Sequence, residues 1–307
     1  DHVMWYDEKM VFPDGNAEPA GDDAFMVRTA QKMYHEISPE TGEFIDFMID
    51  HELMDLQNKP GKASTGYMTS LPSLKAPFVF SCFNHTIFDM QVLTHELGHA
   101  FAGYMAMRSQ PIADFYSEST DIAEIHSMSM EQFAYPYAEW FFGDQADKFR
   151  FAHLQEALTF VPFGVAVDEF QHICYAHPEL TPKERTYQWH LLEEKYMPWR
   201  RYDNDAFMER GGYWYHKLHI YLYPFYYINY TLTTMGAMEF KKKYAEDKQA
   251  AWQGYLKLCK TGGSRSYLET LRYADLSNPF EAGSVERACG YAAKILLGQI
   301  AAQNAAE

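Results

Sequence analysis

Apolar residues recur every three or four positions along most of the chain, a spacing typical of amphipathic helices. Between residues 25 and 57 this pattern predicts a pair of helices, with Ser38 as the N-cap and Pro39 as the first residue of the second helix. Further helices are predicted over about residues 87–107, 118–140, 145–169, 182–196, 212–244, 247–260 and 283–302. We therefore expect a mostly α-helical fold.

One segment departs from the helical pattern. The run from Ala76 to Phe83 is short, apolar and rich in β-favouring residues, which predicts a strand. The stretch from Lys59 to Thr69 is rich in Gly, Ser, Thr and Lys, which predicts a loop. We find no internal repeat and no long polar linker, so we predict one domain over residues 1–307, mostly α with a small β element.

The charge balance narrows the class of partner. The chain has 42 acidic and 26 basic residues, a formal net charge of −16, and no basic stripe that could neutralise phosphates. Nucleic acids and membrane surfaces are therefore not expected partners. The first residues lack the basic and apolar segments of a signal peptide, and the four cysteines lack paired spacing, so we expect a cytoplasmic protein with reduced thiols.

The helix predicted from residue 87 carries the string His95-Glu96-Leu97-Gly98-His99. Residues four apart project from one helix face, so both imidazoles can bind one Zn²⁺ at about 2.0–2.1 Å. Glu96 projects to the adjacent side, where it could take a proton from a zinc-bound water whose pKa falls to about 7. The alternative interpretation is a His–Glu pair on a solvated helix face.

A third ligand decides the subclass of such a site. A metzincin is excluded because Ala102 and Met105 stand where that class needs Gly and His. A carboxylate from the next predicted helix is the remaining choice, and spacing does not select among four of them: Glu118, Asp121, Glu124 and Glu131. Four carboxylates on one helix face are also typical of a solvated surface.

Two strings carry a resemblance to a known family. Residues 94–100, THELGHA, and 121–131, DIAEIHSMSME, resemble the oligoendopeptidase F group of the thimet oligopeptidase family, which are M3-type zinc peptidases. Residues 32–38, 78–81, 167–172 and 219–230 also look like family segments. The resemblance implies a helical gluzincin-type metallopeptidase catalytic domain with the β element lining the cleft, and cleavage of internal bonds in oligopeptides inside the cell.

The resemblance also implies a ligand set. The family's third ligand is a Glu at the position matched here by Glu124, which implies one Zn²⁺ on His95, His99 and Glu124 with Glu96 as general base. Three further residues are expected near the site without touching zinc: Asp121, His126 and Glu131. Asp121 is predicted to orient a ligand histidine, unless it is a simple exposed charge, and the other two to support the site through hydrogen bonds.

A tyrosine-rich segment is expected to complete the site. His219, Tyr227 and Tyr230 match family positions that stabilise the oxyanion and hold the substrate backbone. From the residues alone, an aromatic core stripe is the alternative interpretation of these tyrosines.

The chain departs from the family pattern in three places. Family members are usually longer, with an N-terminal helical half, so we expect the catalytic C-terminal half and, besides oligopeptide substrates, a separate N-terminal fragment as partner. Ser64-Thr65-Gly66-Tyr67 and His85 stand where a Gly pair and a Gly are expected. Three rival interpretations stay open: a catalytically impaired peptide-binding fragment, a thermolysin-like site using Glu118, and a purely structural zinc site.

Overall fold

The computed structural model describes residues 4–306, with side chains through residue 301. The described helices are α1 (Asp23–Ile37), α2 (Pro39–Asp50), α3 (Ile87–Ser109), α4 (Thr120–Phe133), α5 (Ala138–Phe142), α6 (Ala146–Ala176), α7 (Pro182–Tyr196), α8 (Leu218–Leu222), α9 (Ile228–Glu246), α10 (Lys248–Thr261), α11 (Tyr267–Tyr273) and α12 (Ser284–Ala306). The described strands are β1 (Met54–Asp55), β2 (Tyr67–Leu71) and β3 (Ala76–Phe80). The prediction of a mostly α fold with a small β element is confirmed.

The predicted pair of helices at the start of the fold is present as α1 and α2. Ser38 separates them with a capping box, in which its Oγ accepts from the Thr41 backbone N–H at 3.1 Å and its own N–H donates to Thr41 Oγ1 at 3.1 Å. Pro39 follows as the first helical residue, a position whose N–H has no partner within the helix, so proline loses no hydrogen bond there.

The three strands form one sheet in the order β1-β3-β2. β1 runs parallel to β3 and β2 runs antiparallel to it, so β2 is an edge strand. The predicted strand is β3, but the predicted loop was wrong for Tyr67 to Thr69, which belong to β2. The five residues of this strand are exposed or half buried, and pairing with β3 determines their conformation.

Two predicted helices are broken in the structure. The helix expected over 118–140 stops at Phe133, and Pro136 stands in the short 3₁₀ turn before α5. The helix expected over 212–244 is interrupted between α8 and α9, where Phe225 has a left-handed φ of 60° directly after Pro224. Proline lacks the N–H that a helix interior requires and restricts the residue before it, which favours a helix end at both places.

Backbone contacts divide the chain into two compact units. Unit 1 comprises residues 1–16 and 154–232, and unit 2 comprises residues 17–153 and 233–307. The prediction of one domain over 1–307 stays a prediction. Within residues 4–306, no helix combines the length and the apolar character that crossing a bilayer requires.

Helix α3 lies at the centre of unit 2, where it packs against α4, α10, β2 and β3. Its Phe101 contacts Phe44 of α2 edge-on at a ring separation of 5.4 Å and stacks on Tyr255 of α10 at 6.2 Å. These aromatic contacts are fully buried. They hold in place the helix that carries the two histidines of the His-Glu-Leu-Gly-His string.

Candidate metal centre

Helices α3 and α4 are in close contact at Gly98. A Cβ added to Gly98 would lie 2.7 Å from the Cα of Ser127 and 3.0 Å from the Cβ of Met130. Both atoms belong to α4 near its backbone, so no larger side chain fits without separating the helices. Gly98 therefore sets the distance between the helix that carries His95 and His99 and the helix that carries Glu124.

Gly98→Ala is expected to lower the free energy of unfolding by about 1–3 kcal/mol, because the added methyl group overlaps the backbone of α4. Gly103→Ala is the matched control on the same helix, since its Cβ would lie 3.4 Å from the flexible end of Met68. Urea denaturation of both variants measures the difference. Equal stability of the two variants would contradict the close approach at Gly98.

Three side chains that can bind a metal converge between α3 and α4. The ligand atoms of His95, His99 and Glu124 all lie within 4.8 Å of one another. Glu124 Oε2 is 3.0 Å from His95 Nε2 and 3.3 Å from His99 Nε2. Donor atoms arranged tetrahedrally at about 2.0–2.1 Å from Zn²⁺ are separated by about 3.3 Å, so this geometry fits the ion.

The electrostatics of the trio also fit a cation. Burial alone would lower the pKa of His95, but hydrogen bonds to Glu124 and Glu131 outweigh burial and raise that pKa well above its usual value. Burial would raise the pKa of Glu124, but hydrogen bonds from His95 and His99 bring it far below its usual value. A metal ion bound there would replace the imidazole proton that Glu124 attracts, because a histidine ligand must be neutral.

Two residues of α4 hold the trio from behind. His95 Nδ1–H donates to Glu131 Oε1 at 2.6 Å, which leaves Nε2 directed toward Glu124. Ser127 Oγ donates to Glu124 Oε2 at 3.0 Å. Glu131 thus makes the type of contact predicted for it, whereas Ser127 was missed, because a single serine within a helix carries no distinctive sequence signal.

The other candidate residues of this segment form hydrogen bonds with partners outside the trio. Glu118 accepts a hydrogen bond from His126 Nδ1 at 3.1 Å, and the His126 side chain is only 1% exposed. Burial would raise the pKa of Glu118, but the charge of His126 lowers it. Asp121 accepts from Ser119 Oγ at the start of α4, so its contacts do not support the prediction that it orients a ligand histidine.

Glu96 lies beside the segment that leads into β2. A Cβ added to Gly66 would lie 3.2 Å from Glu96 Oε1 and 3.5 Å from Ser81 Oγ. Burial raises the pKa of Glu96 above its usual value. The raised pKa suits a carboxylate that must accept a proton and later release it near neutral pH.

The structure also explains why a glycine is expected at residue 85. His85 has a φ of 59°, in the left-handed region that favours glycine. The backbone N–H groups of Asn84 and His85 donate to Asp89 at 2.9 and 2.8 Å, which holds this turn in front of α3.

The three residues predicted on the oxyanion side form one cluster within unit 1. The ring of His219 is 5.2 Å from that of Tyr227 and 6.1 Å from that of Tyr230. Tyr227 is 6% exposed and packs in a core with Phe163 and Trp189, as the aromatic-core interpretation expects. Burial lowers the pKa of His219 and raises that of Tyr227.

Comparisons with known proteins show which family the chain resembles. The family model for peptidase family M3 matches residues 28–289. The solved structure of PZ peptidase A with inhibitor 2 has a TM-score of 0.89 and 47% identity, covering 97% of this chain and 53% of that chain.

Two curated relatives also match. The oligoendopeptidase F homolog of Borreliella burgdorferi is 25% identical over 234 residues, which are 73% of this chain and 38% of the relative. Oligopeptidase PepF of Bacillus subtilis is 22% identical over 252 residues, which are 78% of this chain and 36% of the relative. The chain thus spans about half the length of the solved structure and less than two fifths of each curated relative.

Proposed function

The chain belongs to peptidase family M3, and from this premise we propose that it forms the catalytic region of a zinc-dependent oligoendopeptidase. Its reaction would be hydrolysis of internal peptide bonds in short peptides, inside the cell. The observation that carries the proposal is the convergence of His95, His99 and Glu124, with Glu96 on the same helix as both histidines. The oligopeptidase names of the two curated relatives support the substrate class.

We assign one Zn²⁺ to His95, His99 and Glu124, because two imidazoles and a carboxylate are a donor set typical of catalytic zinc sites. When bound, the ion would polarise the scissile carbonyl and make a water molecule more acidic. Glu131 keeps the His95 proton on Nδ1, so that Nε2 is free to bind the metal. Ser127 holds the carboxylate of Glu124 in the orientation in which Oε2 faces both histidines.

Glu96 is the proposed general base. Its carboxylate would accept a proton from the attacking water and then donate it to the amine nitrogen of the leaving peptide. Partial burial supports this role because it raises the pKa of Glu96. The proton affinity of the carboxylate is then closer to those of the attacking water and the leaving amine.

His219, Tyr227 and Tyr230 are the proposed hydrogen-bond donors to the substrate carbonyl as negative charge develops on its oxygen. This assignment rests on the family-like string over residues 219–230 and on the clustering of the three rings. Burial lowers the pKa of His219 and raises that of Tyr227, which favours the neutral imidazole and the protonated hydroxyl, and both of these forms can donate a hydrogen bond.

Tyr227→Phe is expected to lower kcat by about 10²–10³ with little change in KM, because the hydroxyl would act only in the transition state. The substitution keeps the buried ring, so zinc content and thermal stability should stay close to wild type. Tyr226→Phe is the matched control from the same segment. A loss below about threefold for Tyr227→Phe would favour the packing role, and a larger loss for Tyr226→Phe would move the donor to that neighbour.

The proposal is tested by two measurements on the purified chain. Metal analysis should find one zinc per chain, and mass spectrometry of digested oligopeptides should find cleavage at internal bonds. If the purified chain binds no zinc at zinc concentrations that saturate common chelators, the proposed metal centre is rejected.

A second candidate function is a peptide-binding fragment that needs a separate N-terminal piece for activity. The observation in its favour is that the chain spans 53% of PZ peptidase A. Intact-mass analysis of the purified material would reveal a second fragment. Hydrolysis that appears only when an N-terminal half from a relative is added would favour this function over autonomous activity.

A further inference from the structure

The hydrogen bonds behind the candidate metal centre continue beyond Glu131 into the start of α6. We propose that His153, held by Tyr135, is a positioning residue that fixes the Glu131 carboxylate and thereby the orientation and metal affinity of His95. This inference rests on the proposed zinc site, which it extends by two residues.

Glu131 uses both of its carboxylate oxygens. Oε1 accepts from His95, while Oε2 is in contact with Nε2 of His153. The side chains of Glu131 and His153 are only 11% and 5% exposed, so water cannot readily replace either partner. A carboxylate that bonds a ligand histidine through one oxygen is free to rotate unless its other oxygen is also held.

Tyr135 fixes the other side of the His153 ring. Its hydroxyl oxygen is 3.0 Å from His153 Nδ1 and donates its own proton to the backbone carbonyl of Arg150 at 3.1 Å. The same oxygen contacts Nδ1 of the His153 ring while Glu131 contacts Nε2, so both ring nitrogens have a polar partner.

Further contacts hold Tyr135 and His153 in place. The Arg150 guanidinium donates from Nε and Nη2 to the Tyr135 backbone carbonyl at 3.2 and 3.1 Å, so residues 135 and 150 are bonded in both directions. The His153 ring stacks on Phe149, with ring centroids 5.6 Å apart. The polar chain therefore runs from His95 through Glu131 and His153 to Tyr135 within unit 2, and its far end is anchored to α6.

Two substitutions at one position separate the contacts of His153. In His153→Gln the amide nitrogen can occupy the place of Nε2 and donate to Glu131, whereas in His153→Asn the amide lies near Nδ1 and reaches only Tyr135. We expect His153→Asn to weaken zinc affinity about 10- to 100-fold and His153→Gln to stay within about threefold of wild type. Tyr135→Phe, which removes a single oxygen, should weaken affinity about threefold to tenfold.

Zinc dissociation constants are measured by competition with a chromophoric chelator, and the visible absorption of Co²⁺-loaded protein reports the ligand geometry. His177→Asn is the matched control, because His177 pairs with Glu179 at 3.2 Å in a similar His–carboxylate contact but is 60% exposed. Thermal melting of the metal-free proteins separates metal affinity from stability. If His153→Asn does not fold, Tyr135→Phe and His153→Gln still decide the question.

The expected result is a weaker zinc affinity and an altered Co²⁺ spectrum in His153→Asn, rescue in His153→Gln, and no change in His177→Asn. Lower melting temperatures with unchanged zinc affinity and Co²⁺ spectra in all His153 and Tyr135 variants would overturn the positioning role and leave the proposed zinc site intact. Failure of the wild-type chain to bind zinc or Co²⁺ would reject the proposed zinc site and, with it, this inference.

Discussion

Glu96→Gln is expected to reduce peptide hydrolysis by about 10²–10⁴-fold while the zinc content stays at one ion per chain. The amide has the size of the carboxylate but cannot accept the proton of the attacking water. Glu96 is not part of the ligand trio, so its replacement should leave metal binding unchanged. Zinc analysis and the cleavage rate of a quenched fluorescent oligopeptide, measured on the same sample, test both statements.

Glu96→Asp is the control for this experiment, because it keeps a carboxylate but withdraws it by one methylene group. It should retain more activity than Glu96→Gln if proton transfer is the function of this residue. Turnover of Glu96→Gln at the wild-type rate would refute the general-base assignment, and loss of zinc would make Glu96 a ligand instead.

Glu124→Ala is expected to weaken zinc binding by at least about 10²-fold. Apparent zinc binding energies of about 10–16 kcal/mol are shared among about four ligands, so removing one ligand costs about 2.5–4 kcal/mol. The remaining pair, His95 and His99, would lack the carboxylate oxygen that lies 3.0 and 3.3 Å from their Nε2 atoms. Metal analysis after dialysis against a weak chelator measures the loss.

Glu118→Ala is the matched control for the third ligand, since it removes a carboxylate from the preceding segment that pairs with His126. It should retain zinc even if the loss of that buried contact lowers the melting temperature. Retention of zinc by Glu124→Ala together with loss in Glu118→Ala would move the site to the thermolysin-like arrangement.

Helix α3, which carries His95 and His99, could be predicted from the sequence because its signal is local. Apolar spacing and the His-Glu-Leu-Gly-His string lie within one helix, and α3 begins at the predicted residue, Ile87. The resemblance to the oligoendopeptidase F group, carried by continuous strings, is also confirmed. The third ligand could not be predicted from spacing. Four carboxylates share about one face of the following segment, and periodicity alone cannot tell which of them faces α3.

Contacts between distant parts of the chain could not be predicted. His153 lies on α6, far along the chain from His95, and no local pattern indicates that it reaches Glu131. Gly98 is visible within the motif, but its need for a bare Cα depends on the position of Ser127 in the folded protein. Strand β2 was missed for the same reason, since its identity depends on pairing with β3.

The close packing of α3 against α4 also bears on the order in which the fold can assemble. The three candidate ligands lie between residues 95 and 124, on two helices that follow each other in the chain. Closing a short loop costs less entropy than closing a long one, and local contacts form faster, so contact between these near neighbours is favoured early in folding. His153 belongs to a later helix, so the ligand trio can come together before the residue that fixes Glu131 is in place.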